Sequence, residues 1–475
     1  MQRQERIGES EKRRNGEVYW AIPPFSHSPI LRFIYLLCLL LTAYSLLVGI
    51  AHPTATAFAQ ETVSLSSLIE EAKKNNPEIL AYQKRVKAKE HRAKVEGILD
   101  DPQLKVEIED IPKDKPFNLG DSMQTRYTFS QMLPFPGKLS LRQKAALKEV
   151  LMAASEAKNK EIEVITMLKQ AYFDYAYILE SIKITKEVKE ILSQMAEIAQ
   201  IRYSTNQASQ QDVIKAQLEL TMLSNELIYL EAQRDVVAAK INSLLNRDTV
   251  SPVGEPEDIK AYRVNIRPDD LIKTAIEKSP SLKAMEYDIQ AREAEVELNK
   301  KNYYPDFMVG VAPIEREGRL DAWDLMFGIN IPLWRSKYDN QVSEARANAG
   351  VLKSKLEAEQ NIKTFEVKES FINVEATGRV RDLYETGLLP QAEISFQSAM
   401  ANYQTSRVDF LTVLDSQRVL KKTRVEYIKS IVEYRKNVAL LEKAVGEDIE
   451  AGIRGLPPSV SIGGQESKVR RNTEE

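Results

Sequence analysis

Few side chains in this 475-residue chain are placed to carry out reaction chemistry. The single Cys38 allows neither an intramolecular disulfide nor a cysteine-built metal site, and the three histidines, His27, His52 and His91, are too few for a zinc or acid–base cluster. His91 follows Glu90 among Lys87, Lys89 and Arg92, the setting of a solvated histidine on a charged helix face. No Ser/His/Asp, Cys/His or phosphate-loop constellation occurs, so catalysis, a cofactor and a resident metal have no candidate residues. The chain is expected not to be an enzyme. A net charge of −3, from 66 Lys and Arg against 69 Asp and Glu, also lacks the basic surplus of a nucleic-acid binder. What remains is electrostatics: carboxylates and turn residues whose meaning depends on the elements that hold them.

Those elements are mainly helical. Only 18 glycines and 7% aromatics accompany long stretches of Ala, Glu, Lys, Leu and Gln. The amino terminus is different. Basic residues (Arg13, Arg14, Arg32) precede an uncharged apolar run from Phe33 to Ala51, and Ala57-Phe58-Ala59 then forms a small-residue cleavage site. Residues 1–59 read as a secretory signal; the competing reading is an uncleaved anchor, for which the apolar run is just long enough. Nothing after residue 60 reads as a transmembrane helix.

The remainder is written twice. Leu68-x-x-x-Ala72-x-x-x-x-Pro77 recurs as Leu271-x-x-x-Ala275-x-x-x-x-Pro280, and Asp101-Pro102 maps onto Tyr304-Pro305, both at an offset of 203. Tyr203-x-Thr205 with Val213 and Gln217 recurs as Tyr403-x-Thr405 with Val413 and Gln417 at an offset of 200. Duplication is the better reading, with repeats at 60–246 and 268–445, a linker at 247–267 rich in proline, and a tail at 446–475 of the composition expected for disorder.

Each repeat opens with a helix of about 30 residues, over 65–98 and 268–302. Two alternating segments follow. Leu104, Val106 and Ile108 alternate with charged residues, as Tyr127 and Phe129 do with polar ones; Val309 and Val311, then Trp323, Leu325, Phe327 and Ile329, repeat the pattern. These predict strands with one apolar face, of the length a tilted membrane strand needs, joined by polar loops at 112–121 and 315–321. Pro134-Phe135-Pro136-Gly137-Lys138 and Pro332-Leu333-Trp334 end the strands and start very long helices. Leu139 to Tyr203 holds no proline or glycine and would extend roughly 98 Å. Its apolar stripe (Ile165, Leu168, Tyr172, Tyr175, Leu179, Ile182, then Val188) reads as coiled-coil core, with a change of winding expected at the six-residue step from Ile182 to Val188. A return helix is expected from Asp212 to about Asn246.

Four amphipathic strands cannot close a barrel, and in lipid an open edge leaves backbone groups unsatisfied. An obligate oligomer follows: three copies give a twelve-stranded membrane barrel continued by a tube of long helices.

The signal, the duplicated order of elements, the Pro134-to-Lys138 corner and the two tyrosine-led tips resemble the TolC-type outer-membrane efflux channels over residues 62–446. Within that family, Asn76-Pro77-Glu78 and Asp101-Pro102-Gln103 are similar to the heavy-metal branch. The resemblance implies a homotrimeric passive exit duct in outer-membrane lipid, projecting into the periplasm and docked to a periplasmic adaptor and an inner-membrane pump of an efflux or type I secretion system. Asn206, Gln207, Ser406 and Arg407, where the helices reverse farthest from the strands, are expected to dock the adaptor, and the resemblance places an entrance gate at Asp212, Asp415 and Tyr403. The tips depart from the family's Tyr-x-x-Gly: Asn206 still suits a left-handed turn and Ser406 suits it less. Thr412 stands where a further aspartate is common. Read without the family, Asp212 caps the returning helix and Tyr403 is a packing aromatic. Two rival functions are a periplasmic coiled-coil adaptor, which lacks the duplication, and an anchored structural scaffold, which has no use for the alternating strands.

Overall fold

The computed structural model describes residues 62–114, 116–117, 122–258, 267–405 and 407–447. The expected signal at 1–59, part of the linker, Ser406, and the expected tail beyond 447 lie outside the described residues.

Two similar successions of elements make up the chain. Helices α1 (Leu65–Asn75) and α2 (Pro77–Val95) lead into strands β1 (Gln103–Glu109) and β2 (Gln124–Leu133), then α3 (Lys138–Ser204) and α4 (Gln210–Leu245). Next come α5 (Pro268–Lys278), α6 (Pro280–Lys301), β3 (Phe307–Arg316), β4 (Arg319–Ile329), α7 (Arg335–Leu383), a π-helical turn at Tyr384–Leu388, α8 (Leu389–Gln404) and α9 (Phe410–Val445).

The opening helix of each half is not continuous as expected but breaks before its proline. Pro77 has no N–H to extend the ladder, and Asn76 turns the interruption into a cap. Its Oδ1 accepts from the amides of Glu78 (2.9 Å) and Ile79 (3.1 Å), while its Nδ2 donates to the Leu244 carbonyl (2.8 Å). Pro280 also breaks the second opening helix, where Ser279 precedes it without a side-chain cap.

The four strands form one antiparallel sheet in the order β1-β2-β3-β4, leaving β1 and β4 as free edges. Register puts Leu104 opposite Phe129, Phe129 opposite Val311, and Val311 opposite Leu325. Directly opposed residues share a face, so one face carries this apolar set and the other Lys105, Arg126, Gly310 and Asp324. The β3–β4 connection is tighter than the expected polar loop. Glu317 (φ 51°) and Gly318 (φ 75°) form a two-residue turn between strands that pair as far as Arg316 and Arg319.

At the other end of the sheet the proline corner is held by the second half of the chain. Phe135 stacks on Tyr304 with centroids 4.5 Å apart, and Asp306 Oδ1 accepts both the Phe135 amide (2.7 Å) and the buried Lys138 ammonium (2.8 Å). Gly137 turns the chain at φ 93°, which a Cβ would strain.

Beyond the corner, α3 runs 67 residues without a break, about 100 Å. Its core stripe is not interrupted at Ile182 to Val188, because Thr185, fully buried, fills the step at helical spacing. Near the sheet the helices pack side by side as α2-α3-α6-α7; farther away the order is α4-α3-α9, with α7 and α8 on the outside of α9. Midway, α1 and α5 insert the repeated Leu68/Ala72 and Leu271/Ala275 pairs into two apolar clusters. There Tyr172 Oη donates to the Val63 carbonyl (3.1 Å) and accepts the Glu257 amide (3.0 Å), binding the linker and the first described residues to α3.

At the same level the halves are joined through a buried ion pair, Lys169 Nζ to Glu442 Oε2 at 2.6 Å, with Lys436 paired to Asp174 at 3.0 Å beside it. Replacing Glu442 by Gln should strand the enclosed ammonium and destabilise the chain by about 3–5 kcal/mol. The double apolar replacement Lys169→Met with Glu442→Leu should recover most of that. Thermal unfolding of the extracted protein at fixed concentration, followed by its helical circular dichroism, measures both; a Glu442→Gln midpoint equal to the parent would refute the assignment.

Candidate functional site: the helical tips

Both hairpins reverse by the same backbone device. In the first, Asn206 takes the left-handed conformation (φ 55°) and the Gln207 amide donates to the Arg202 carbonyl at 2.8 Å, a helix-ending six-residue closure. In the second, the Arg407 amide donates to the Asn402 carbonyl at 2.8 Å, the same closure 200 residues later. Asn206, Gln207 and Arg407 are all exposed at these tips.

The returning helices start with the same cap written in opposite chemistry. On α4 the Ser209 hydroxyl accepts the Asp212 amide and the Asp212 carboxylate accepts the Ser209 amide, each at 3.3 Å. Asp212 is therefore not the capping residue expected from sequence but the third residue of a capping box whose cap is Ser209. On α9 the cap is Asp409, whose Oδ1 accepts the Thr412 amide (2.9 Å) and the Thr412 hydroxyl (2.5 Å). Thr412 thus stands opposite Asp212 in the repeat because acid and hydroxyl have exchanged places. The Thr412 hydroxyl, and after it the Thr412 amide, hold the Asp409 carboxyl below its usual range.

Asp415 lies within α9 and is exposed, and Arg418 is close enough to feel its charge. Arg418 in turn pairs with Glu219 of α4. The structure does not bring Asp212 and Asp415 into one contact: the first is engaged by its cap, the second is exposed on α9.

Tyr403 packs rather than projects. It is 5% exposed, its ring meets Phe410 edge-on at 5.8 Å, and the Arg202 guanidinium sits 4.6 Å from its centroid while donating to its carbonyl at 3.2 Å. Its hydroxyl is buried without a hydrogen-bond partner. Sequence reasoning missed Arg202 and a ladder of ion pairs that tie the second hairpin together and to the first: Arg418 to Glu219, Lys421 to Glu226, and Arg424 to both Glu393 (3.3 Å) and Glu187 (4.0 Å). The available signal was the charge flanking each core stripe, which indicates pairing but not its partner.

Among the described residues no group of three or more His, Cys, Asp or Glu is arranged to hold a metal ion. Nor is any described helix long and apolar enough to cross a membrane.

Comparison with known proteins agrees with this arrangement. The family described as "Outer membrane efflux protein" matches residues 68–247 and 271–447. The cobalt-zinc-cadmium resistance protein CzcC of Cupriavidus metallidurans (strain CH34) is 22% identical over 357 residues, covering 74% of this chain and 82% of its own. Among solved structures, the outer-membrane channel OprN superposes with a TM-score of 0.70 at 16% identity over 81% of this chain and 90% of its own. The outer membrane protein VceC of Vibrio cholerae does so at 0.68 and 17%, over 81% and 96%.

The swapped caps have a titration consequence. Because the Asp409 carboxyl is depressed in the folded state, its contribution is complete above the ordinary aspartate value of about 3.9 and fades as pH falls through the lower folded value. Hydrogen-exchange protection of the first turn of α9 should therefore drop on strong acidification, and Asp409→Asn, which still caps, should remove that dependence. Equal acid sensitivity in parent and variant would overturn the assignment.

Proposed function

This chain belongs to the outer membrane efflux protein family, and on that premise we propose that three copies of it close into one duct whose tips receive a periplasmic adaptor and whose entrance is ringed by Asp415. The chain is an outer-membrane channel component of a tripartite efflux system: a passive conduit, with its helices in the periplasm.

The observation that carries the trimer is that the chain is unfinished at every level on the same two sides. Strands β1 and β4 have free backbone edges. On β4 Leu325 and Phe327 are 74% and 83% exposed, and on α4 Ile214, Leu218 and Met222 form an exposed apolar stripe at helical spacing. The outer side of α7 exposes Phe365 and Ile372. A head-to-tail threefold ring pairs β4 with the next β1 and sets α7 and α8 against the next α4 and α2, so all edges close together. Twelve strands then enclose a bore. Trp323 and Trp334, exposed near the two ends of the apolar face, suit the two membrane interfaces. The family match to both halves and their common order of elements support two repeats, 60–246 and 268–445, joined by the linker 247–267.

Asn206, Gln207, Ser406 and Arg407 form the docking surface, since the helices reverse there, about 100 Å from the sheet. Threefold repetition brings six carboxylates, Asp212 and Asp415 of each copy, to the entrance, a negative ring that favours cations. Asp415 carries most of that effect, because Asp212 is already engaged by Ser209. Tyr403 acts from behind, holding Arg202 and Phe410 in place. Similarity to a cobalt-zinc-cadmium resistance protein supports a metal-cation cargo, handed over by an inner-membrane pump.

The detergent-extracted protein should cross-link as a trimer and conduct in planar bilayers. Asp415→Asn should raise anion permeability and relieve multivalent-cation block from the tip side, with Asp212→Asn adding less. A monomer, or unaltered selectivity in Asp415→Asn, sinks the corresponding half of the proposal.

At the docking surface, Asn206→Arg or Ser406→Arg should abolish efflux by cells while leaving trimer and conductance intact. Normal efflux in both variants would remove docking from the tips.

A further inference from the structure

On the face of the sheet opposite the apolar set, one arginine spans three strands. Arg126 of β2 lies opposite Glu107 of β1 and Ile314 of β3. Its guanidinium reaches Glu109 Oε1 on β1 at 2.9 Å and, across β3, Asp324 Oδ2 on β4 at 3.7 Å. The crossing is low because the β3 positions on that face are Ala312 and Ile314, both buried in the wall. Gln124 also donates to Glu109 and accepts from Arg316 Nε at 3.3 Å, and Arg316 pairs with Asp321 at 2.7 Å. All four strands thus contribute a charged or polar group to one band beside the β3–β4 turn, at the end of the sheet away from the helices.

We propose that this band is a second charge-selective level of the duct, at its outer mouth, in which Arg126 sets the sign of the wall. The inference rests on the barrel reading, which turns this face toward the bore. Arg126 there meets two carboxylates, so each copy presents one net negative charge from the trio Glu109, Arg126 and Asp324, and a ring of three copies presents three. Without Arg126 the same ring would present six. The Arg126 Nε, which faces Asp324, makes no hydrogen bond, so charge alone holds that arm, and the side chain keeps about a quarter of its surface exposed. The band and the tip carboxylates are separated by the full length of α3, about 100 Å against a Debye length of about 8–10 Å. The two levels are therefore electrically independent and can be addressed from opposite sides of a bilayer. Arg126 prevents exported cations from being held at the exit by carboxylates that the strands need for their own cross-links.

The test uses the full trimer, oriented in planar bilayers, with lanthanum ion as the blocking probe. Arg126→Gln should raise the cation-to-anion permeability ratio about twofold or more and strengthen lanthanum block from the outer side, with block from the tip side unchanged. Asp324→Asn should move the ratio toward anions, and Arg126→Lys should stay near the parent. Shifts of opposite sign in the first two variants cannot come from a shared loss of assembly. If both keep the parent ratio, or shift it the same way, while Asp415→Asn still alters selectivity, the outer level is refuted and the duct reading stands; a parent that forms no conducting trimer removes both.

Discussion

The hydrogen-bonding groups along the outer edges of β1 and β4 dominate the design of this molecule. In hydrocarbon, a row of unpaired N–H and C=O groups costs several kcal/mol per group, and water is not there to satisfy them. The described four-stranded sheet has two such rows, along β1 and β4. The helical layers obey the sheet. Because α3 follows β2 and α7 follows β4 across short corners, the direction of the strands is passed to the helices, and in the proposed ring the same two flanks close at the sheet and along the helices. The corner between β2 and α3 is accordingly fixed by several contacts at once: a stacked aromatic pair, a left-handed glycine and a carboxylate shared between an amide and a buried ammonium.

Much of this was legible in the sequence because it depends on period and punctuation. Two-residue alternation identified the strands and their apolar face, prolines and glycines placed the corners, and Leu68/Ala72 with Leu271/Ala275 marked core positions that the structure buries. What escaped reading is tertiary. Thr185 looked like a gap in an apolar stripe, yet its side chain is fully enclosed and fills the core position as valine would, its hydroxyl left without a hydrogen-bond partner. The break at Asn76 looked like the inside of one helix because a cap is recognised by what its side chain accepts, which composition does not state. The partners of Glu219, Glu226 and Arg126 sit on other elements, and a charge pattern gives no address for them.

The two halves have also diverged in ways that a repeat search hides. Ser209 with Asp212 and Asp409 with Thr412 accomplish one capping task with acid and hydroxyl exchanged, so a motif written as residue types fails where a motif written as donors and acceptors succeeds. The long helix of the first half is continuous, whereas the second carries a π turn just before Pro390, where the missing amide lets the chain take in an extra residue.

Open flanks that differ from each other have a genetic corollary. In the proposed threefold ring each chain offers one seam with its β4 side and needs another with its β1 side, so the circle has no member that can be bypassed. In a cell making a sound and a seam-defective version in equal amounts, random assembly leaves only about one circle in eight free of the defective chain. Lesions on these flanks should consequently be inherited as dominant, whereas lesions that stop a chain from folding at all, and so keep it out of the circle, should be recessive.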